Sequence, residues 1–130
     1  MKEQFVSYEI AIKLKEKGFM EECFGFYYYD ASFKKYRLVY EESSNDYLNS
    51  INAPLWQQVI DWLREKHDLH IEIGGDNYDF IDKFDCYRYM ILKTKFQPTD
   101  KLLMEDYCKI YTYSYFKARQ VAIEHALTLI

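Results

Sequence analysis

Proline and glycine are scarce in this sequence, with two and four residues, and long apolar runs are missing. The three cysteines, Cys23, Cys86 and Cys108, lie far apart and are odd in number, so we expect no disulfide framework and a reducing compartment. No apolar run approaches the roughly 20 residues that a membrane-spanning helix needs. The first residues also lack the apolar segment of a signal peptide. Together these absences predict a soluble protein of the cytoplasm, with no membrane partner.

Basic residues are also in deficit. The chain has 17 Lys and Arg residues and 21 Asp and Glu residues, which gives a net charge of −4 at neutral pH. Because Lys and Arg supply most of the affinity for phosphates, this balance argues against general nucleic-acid binding. Aromatic residues are abundant instead, with 14 tyrosines and nine phenylalanines. Such an excess is typical of binding surfaces, but AT-rich codon usage also produces it and depletes glycine and proline, and we favour the second interpretation.

The length and composition are those of a single globular domain. The chain has 130 residues, of which 49% are apolar and 29% are charged, so disorder is not expected. A chain of this length can bury roughly two-thirds of its unfolded surface. We therefore predict one α+β domain over residues 1–130 that needs neither metal nor disulfides for its core.

Helical spacing is clear in parts of the chain. Amphipathic helices are predicted at residues 7–17, 53–67 and 114–130. Ser7 and Ser114 are suitable N-caps for the first and last of them. Gly18 follows the first helix, at a position where glycine ends a helix in the left-handed conformation. The middle helix carries Trp56 and Trp62, which we expect to be buried.

Strand patterns lie between the helices. Strands are predicted at residues 24–30, 35–41, 69–73 and 86–94. Turns are predicted at residues 30–34 and 74–77, and a polar loop is predicted at residues 42–52. Residues 99–112 fit either a short helix or a surface insertion. The predicted fold is α+β, with three helices packed on one face of a mostly antiparallel four-stranded sheet, in the order α-β-β-α-β-β-α.

Several blocks of sequence carry a resemblance to known proteins. They are residues 7–11 (SYEIA), 14–19 (LKEKGF), 23–27 (CFGFY), 53–58 (APLWQQ), 62–67 (WLREKH) and 115–120 (YFKARQ). In this order they resemble small uncharacterised proteins encoded by phages and prophages of gut Bacteroidetes, and the resemblance covers roughly half of the chain. It implies a phage or mobile-element origin and a setting in the host cytoplasm. It implies no activity.

Metal binding has two candidate regions. His67, His70 and Glu72 lie close together where a helix meets a strand, and imidazole and carboxylate groups bind transition metals. However, His67 suits the last turn of a helix, where positive charge is favoured, and the other two face solvent on an alternating strand. The aspartates at 76, 79, 82 and 85 lack the spacing of an EF-hand loop. We therefore favour no metal and no cofactor.

Catalytic motifs are missing as well. The sequence has no nucleophile elbow, phosphate-binding glycine loop or dinucleotide-binding fingerprint. The cysteines have no local signature of a nucleophile, and we expect His125 on the surface of the last helix. We therefore assign no catalytic residue. An enzyme whose site is assembled from scattered residues stays open as an alternative.

A binding surface exists if helices cover only one face of the predicted sheet. Strand alternation places on the other face Phe26, Tyr28, Arg37, Val39, Arg88, Met90 and Leu92. An exposed apolar face of this kind marks an interface. We therefore predict a non-catalytic module that binds a protein partner or a second copy of itself. The alternative is single-stranded nucleic acid, whose bases would stack on the aromatic strands beside basic residues. These are Lys34, Lys35, Arg37 and Arg88.

Overall fold

The computed structural model describes residues 2–40, 49–77, 85–93, 109–112 and 114–130. A 3₁₀ turn at Lys2–Gln4 opens this part of the chain. Its α-helices are α1 (Tyr8–Glu16), α2 (Trp56–His67) and α3 (Tyr115–Thr128). Its strands are β1 (Gly25–Asp30), β2 (Lys35–Val39), β3 (Ile51–Ala53), β4 (Leu69–Asn77), β5 (Asp85–Lys93) and β6 (Lys109–Thr112).

The strands form two antiparallel sheets. In the first sheet β1 lies between β2 and β3, and in the second β5 lies between β4 and β6. The α+β class is confirmed, but the predicted single four-stranded sheet is not, because the two predicted hairpins belong to different sheets. The physical reason is that β3 and β6 each pair with the second edge of a central strand, and that the outer strands β2 and β4 do not pair with each other. Neither β1 nor β5 then has an edge left for the other hairpin.

The chain divides into two compact units, Met1–Val59 and Ile60–Ile130. In the first unit α1 packs against β3, and in the second unit α3 packs against β4, β5 and β6. The prediction that three helices share one sheet face is therefore wrong, since α1 and α3 pack on different sheets. The prediction of one domain over residues 1–130 stays a prediction.

The predicted N-caps of α1 and α3 and the predicted end of α1 are confirmed. The hydroxyl of Ser7 accepts a hydrogen bond from the backbone N–H of Ile10 at 3.4 Å, and that of Ser114 accepts one from Lys117 at 3.3 Å. Each bond satisfies a backbone donor that the first turn of a helix leaves without an intrahelical partner. Gly18 has a φ of 87° and thus ends α1 in the left-handed conformation.

The first unit buries one side of α1 together with the chain that precedes it. Fully buried there are Val6, Ile10, Ala11 and Leu14. The hydroxyl of Tyr27 in β1 donates a 2.7 Å hydrogen bond to the carbonyl of Val6, so a buried ring from the sheet is tied to the N-terminal segment. Trp56 is buried as predicted, and its indole N–H donates to the carbonyl of Glu3 at 3.0 Å.

The second unit buries one face of β4 and β5 against α3. Buried on the strands are Leu69, Ile71, Tyr89 and Ile91, and buried on the helix are Ala118, Ala122, Ile123 and Ala126. The small alanine side chains let α3 approach the sheet closely. Trp62 is also buried, as predicted.

Strand β4 is longer than its sequence indicates. A turn is predicted at residues 74–77, but β4 continues to Asn77, and Gly74 and Gly75 pair with Arg88 and Tyr87. The prediction is wrong because hydrogen bonds along β5 hold these glycines extended, against their local preference for turns. Residues 51–52, predicted as loop, and residue 53, predicted as the start of a helix, form strand β3, and α2 begins only at Trp56. Residues 109–112, predicted as part of a short helix or a surface insertion, form strand β6. Residues 42–48, 78–84 and 99–108 lie outside the described residues.

Candidate binding surfaces

The residues predicted to form one binding face lie in two places. Phe26, Tyr28, Arg37 and Val39 share a face of the first sheet, where Phe26 pairs with Val39 and Tyr28 with Arg37. Arg88, Met90 and Leu92 share a face of the second sheet. They therefore belong to different units and do not form one continuous sheet face. Phe26 is buried, contrary to the expected exposure, whereas Arg37 and Arg88 are exposed. Whether these residues bind a partner stays a prediction.

An aromatic ladder runs along the other face of the first sheet. Tyr29 of β1 and Tyr36 of β2 lie directly opposite each other, with ring centroids 5.3 Å apart, and both are exposed. The ring of Tyr8 in α1 stacks on Tyr36 at 4.0 Å with an interplanar angle of 19°. A hydrogen bond between these two phenols raises the pKa of Tyr8 to about 12. The ladder continues inward, since Tyr8 also meets the buried ring of Tyr27 edge-on at 5.6 Å.

The tip of the β1–β2 hairpin adds an exposed phenylalanine between cations. Phe33 is 61% exposed, and the Nζ of Lys35 and the Cζ of Arg37 lie 5.8 and 5.0 Å from its ring centroid. Asp30 fixes the turn, because its side chain accepts from the N–H of Ser32 at 3.0 Å and from Arg37 at 3.0 Å. The hairpin surface comprises Tyr8, Tyr29, Phe33, Lys34, Lys35, Tyr36 and Arg37.

A second surface lies on the segment between α1 and β1. Met20 is 88% exposed and Phe24 is 74% exposed, the largest values among the large apolar side chains of the described residues. The backbone between them is nevertheless anchored. The side chain of Asn52 donates to the carbonyl of Glu21 at 3.4 Å, and that of Gln58 donates to the carbonyl of Glu22 at 2.7 Å. We call residues 20–24 the 20–24 segment.

An open hollow lies next to this segment. Its volume is about 390 Å³, and it is lined by Ala11, Lys15, Gly18, Phe19, Met20, Ser50 and Asn52. A hollow of this size lies within the range of ligand pockets, roughly 300–1,000 Å³. Because Met20 forms part of the wall of the hollow, an apolar side chain of a partner that enters the hollow also contacts Met20.

The metal candidates are only partly brought together. The Nε2 of His70 lies 3.4 Å from Oε1 of Glu72, on the wall of a depression of about 360 Å³ that Arg88 and Met90 also line. His67 instead packs edge-on against Trp62, with ring centroids 4.5 Å apart. Within the described residues no group of three or more His, Cys, Asp or Glu is placed to hold a metal ion.

The groups with catalytic potential are engaged in the fold. Burial, and then the charge of Glu21, raise the pKa of the Cys23 thiol to about 12. That thiol donates to the carbonyl of Glu21 at 3.3 Å. His125, expected on the helix surface, is half-buried, and its Nδ1 lies 3.0 Å from the hydroxyl of the buried Tyr89. Cys108 and the side chain of Cys86 lie outside the described part of the structure.

Sequence reasoning missed the most exposed aromatic and apolar residues. Phe33 lies in a turn and Met20 lies in a connection, so no periodic pattern assigns them to a face. Phe24 is predicted as the first residue of a strand, but β1 begins only at Gly25. The available signal was weaker: a phenylalanine immediately before two lysines at a hairpin tip, and apolar residues flanking an acidic turn.

Comparisons of the chain with protein families, with curated proteins and with solved structures find no match. Among the helices in the described ranges, none combines the length and the apolar character that a membrane crossing requires.

Proposed function

We propose that this chain is a non-catalytic protein-interaction module that binds a protein partner or a second copy of itself through the 20–24 segment. The observation that carries the proposal is the exposure of Met20 and Phe24 on an anchored backbone. Methionine and aromatic residues are enriched where proteins meet. Burying a side chain of this kind is worth roughly 1.5–3 kcal/mol.

The anchoring of the segment matters as much as its apolar character. Because Asn52 and Gln58 donate hydrogen bonds to the carbonyls of Glu21 and Glu22, the backbone of this segment is restrained before a partner docks. Association costs less when the contact surface is already ordered. The open hollow beside Met20 offers a recess in which one partner side chain can be surrounded, as central interface residues usually are.

The chemistry of Cys23 supports a non-catalytic role. A cysteine nucleophile reacts as the thiolate, but burial of Cys23 and the nearby charge of Glu21 favour the protonated thiol. His125 is similarly occupied by its contact with Tyr89.

A paired substitution tests the interaction. We expect the wild-type chain to self-associate with rising concentration in light scattering, or to retain one specific protein when purified from its host. Met20→Ser combined with Phe24→Ser should abolish either result. Phe116→Ser is the matched control, because Phe116 is 62% exposed on a different element, and it should have no effect. The proposal would be contradicted if the wild-type chain is a strict monomer and no protein binds it more strongly than it binds the Met20→Ser, Phe24→Ser double variant.

We also propose a phage or prophage origin and a location in the host cytoplasm. The support is the resemblance carried by the sequence blocks in residues 7–27, 53–67 and 115–120. Phage structural or regulatory genes on either side of the coding sequence, and recovery of the protein in the soluble cytoplasmic fraction of the host, are the expected observations. A chromosomal setting without phage genes would contradict the origin.

A further inference from the structure

We propose that the hairpin surface binds single-stranded nucleic acid, which crosses the tip of the β1–β2 hairpin with bases against its exposed rings and phosphates against its cations. This surface shares no residue with the 20–24 segment. The inference therefore goes beyond the proposed protein interaction, and either can fail without the other.

The rings offer faces and edges to flat ligands. Tyr29, Phe33 and Tyr36 are all exposed within eight consecutive residues of the chain. The 4.0 Å stack of Tyr8 on Tyr36 fixes the plane of the Tyr36 ring, so its orientation is set before a base arrives. Aromatic side chains held in this way are the usual platforms for unpaired bases, which stack on them with little sequence preference.

The charges of the hairpin differ in sign from those of the whole chain. Residues 31–40 contain Lys34, Lys35 and Arg37 and no Asp or Glu, although the chain has a net charge of −4. Asp30 is the carboxylate that pairs with Arg37, which leaves the hairpin with a local excess of positive charge. Phosphate binding depends on such local cations and on the release of counterions.

The geometry places the two kinds of group on either side of the tip. Strand alternation puts Tyr29 and Tyr36 on one face and Lys35 and Arg37 on the other. Phe33 contacts the cationic side. A nucleic-acid strand that crosses the tip reaches both faces, with Phe33 at the crossing point.

An acidic peptide is the competing occupant. It would satisfy the cations, but it would present few flat surfaces to the exposed rings. Single-stranded nucleic acid carries a base and a phosphate in every unit and uses both properties. A duplex keeps its base faces stacked internally, so it is expected to bind less well than the single strand.

Fluorescence anisotropy with a labelled oligothymidylate of about 12 nucleotides tests the proposal. We expect binding at about 50 mM salt that weakens with added salt, with a log–log slope of roughly −2 for contacts from Lys34, Lys35 and Arg37. Phe33→Ala should weaken binding at least about fivefold, the lower bound for loss of one stacking contact. Lys34→Gln with Lys35→Gln should flatten the slope by roughly 1.4.

Phe116 supplies a matched control. It is 62% exposed against 61% for Phe33, and its ring lies 5.2 Å from the Cζ of Arg119, much as Phe33 lies near Arg37. Phe116→Ala should therefore leave oligonucleotide affinity unchanged. Tyr36→Phe, which keeps the ring and removes the hydroxyl, should also retain binding because stacking uses the ring.

Several outcomes would overturn the proposal. One is the absence of binding at low salt. Another is equal loss of affinity in Phe33→Ala and Phe116→Ala, which would place the contact elsewhere. A third is competition by poly-glutamate as effective as that of unlabelled oligonucleotide, which would make the hairpin an acidic-peptide site. Circular dichroism of each variant shows whether the fold is retained.

Discussion

The hydroxyl of Tyr89 in β5 lies 3.0 Å from Nδ1 of His125 in α3, and the two rings meet edge-on with centroids 5.9 Å apart. Tyr89 is almost fully buried, while His125 is half-buried. A polar bond inside the second unit thus joins the central strand of its sheet to the helix that covers it. Side-chain bonds of this kind fix the position of a helix more closely than apolar contact does.

Removal of the Tyr89 hydroxyl should destabilise the protein. We expect Tyr89→Phe to lower the free energy of unfolding by roughly 1–2 kcal/mol, because a buried hydrogen bond is lost and His125 keeps a nitrogen beside an apolar ring. The midpoint of urea unfolding measures this change. Tyr87→Phe is the matched control on the same strand face and should change stability by less than about 0.5 kcal/mol. Equal effects of the two substitutions would contradict a structural role for the Tyr89–His125 bond.

A close approach of backbone and side chain predicts that a larger residue at Gly25 destabilises the protein. A Cβ at Gly25 would lie 2.7 Å from Cε1 of Phe5 and 3.2 Å from the carbonyl oxygen of Val39. Phe5 is itself buried, so the ring has little room to move. We expect Gly25→Ala to cost roughly 1–3 kcal/mol of stability, as overpacking of a core does.

Gly74 is the natural comparison for Gly25. It also lies in a strand, it has no positive φ, and nothing lies within 4 Å of a Cβ added there. Gly74→Ala should be neutral or stabilising by up to about 1 kcal/mol, because alanine restricts the unfolded chain. Thermal unfolding of both variants tests the pair. A loss at Gly74 as large as that at Gly25 would show that the contact with Phe5 is not the cause.

The sequence predicts the local structure better than the pairing of strands. Ser7 and Ser114 indicate helix starts because their side chains can cap a helix, and Gly18 indicates a helix end because glycine adopts a positive φ. These predictions are confirmed. β3 and β6 have three and four residues, too few to display a period of two. Without these two strands, the sequence pattern predicts that both hairpins belong to one sheet. The number of sheets depends on which distant segments pair with each other, and a local sequence pattern does not indicate that pairing.

The same reasoning explains why the candidate surfaces were only partly predicted. The sequence places Tyr36 in the strand predicted at residues 35–41, and it predicts Lys34, Lys35 and Arg37 as basic residues beside aromatic strands. The exposure of Phe33 depends on the turn that Asp30 holds, and that of Met20 depends on hydrogen bonds to the segment beyond it. These are tertiary features of single positions, which periodicity cannot show.

The raised pKa of Cys23 predicts slow alkylation. At a pKa of about 12, the thiolate fraction near pH 8 falls about three orders of magnitude below that of an ordinary cysteine, whose pKa is about 8.5. In a chain carrying Cys86→Ser and Cys108→Ser, iodoacetamide should therefore modify Cys23 slowly when the protein is folded. The rate should rise to the ordinary value in urea. Equal rates in the two conditions would contradict the burial of the thiol.

The ion pair at the hairpin predicts a pH effect with a definite sign. Arg37 lies 3.0 Å from Oδ2 of Asp30, and this hydrogen bond lowers the pKa of the Asp30 carboxyl below its usual value. A carboxyl whose pKa is lower in the folded state contributes stability above its unfolded pKa. That contribution is lost as the pH falls through the folded pKa. The hairpin turn should therefore loosen under acid before the buried parts of the first unit do.

Arg37→Gln tests the cause of this shift. We expect the substitution to raise the pKa of Asp30 toward the ordinary aspartate value of about 3.9, as measured by carbon NMR of the carboxyl during a pH titration. Lys34→Gln removes a neighbouring charge without removing the 3.0 Å bond to Asp30, so it should leave that pKa nearly unchanged. If both substitutions raise the pKa equally, the general positive charge of the hairpin sets it, and the geometry of the Asp30–Arg37 pair does not.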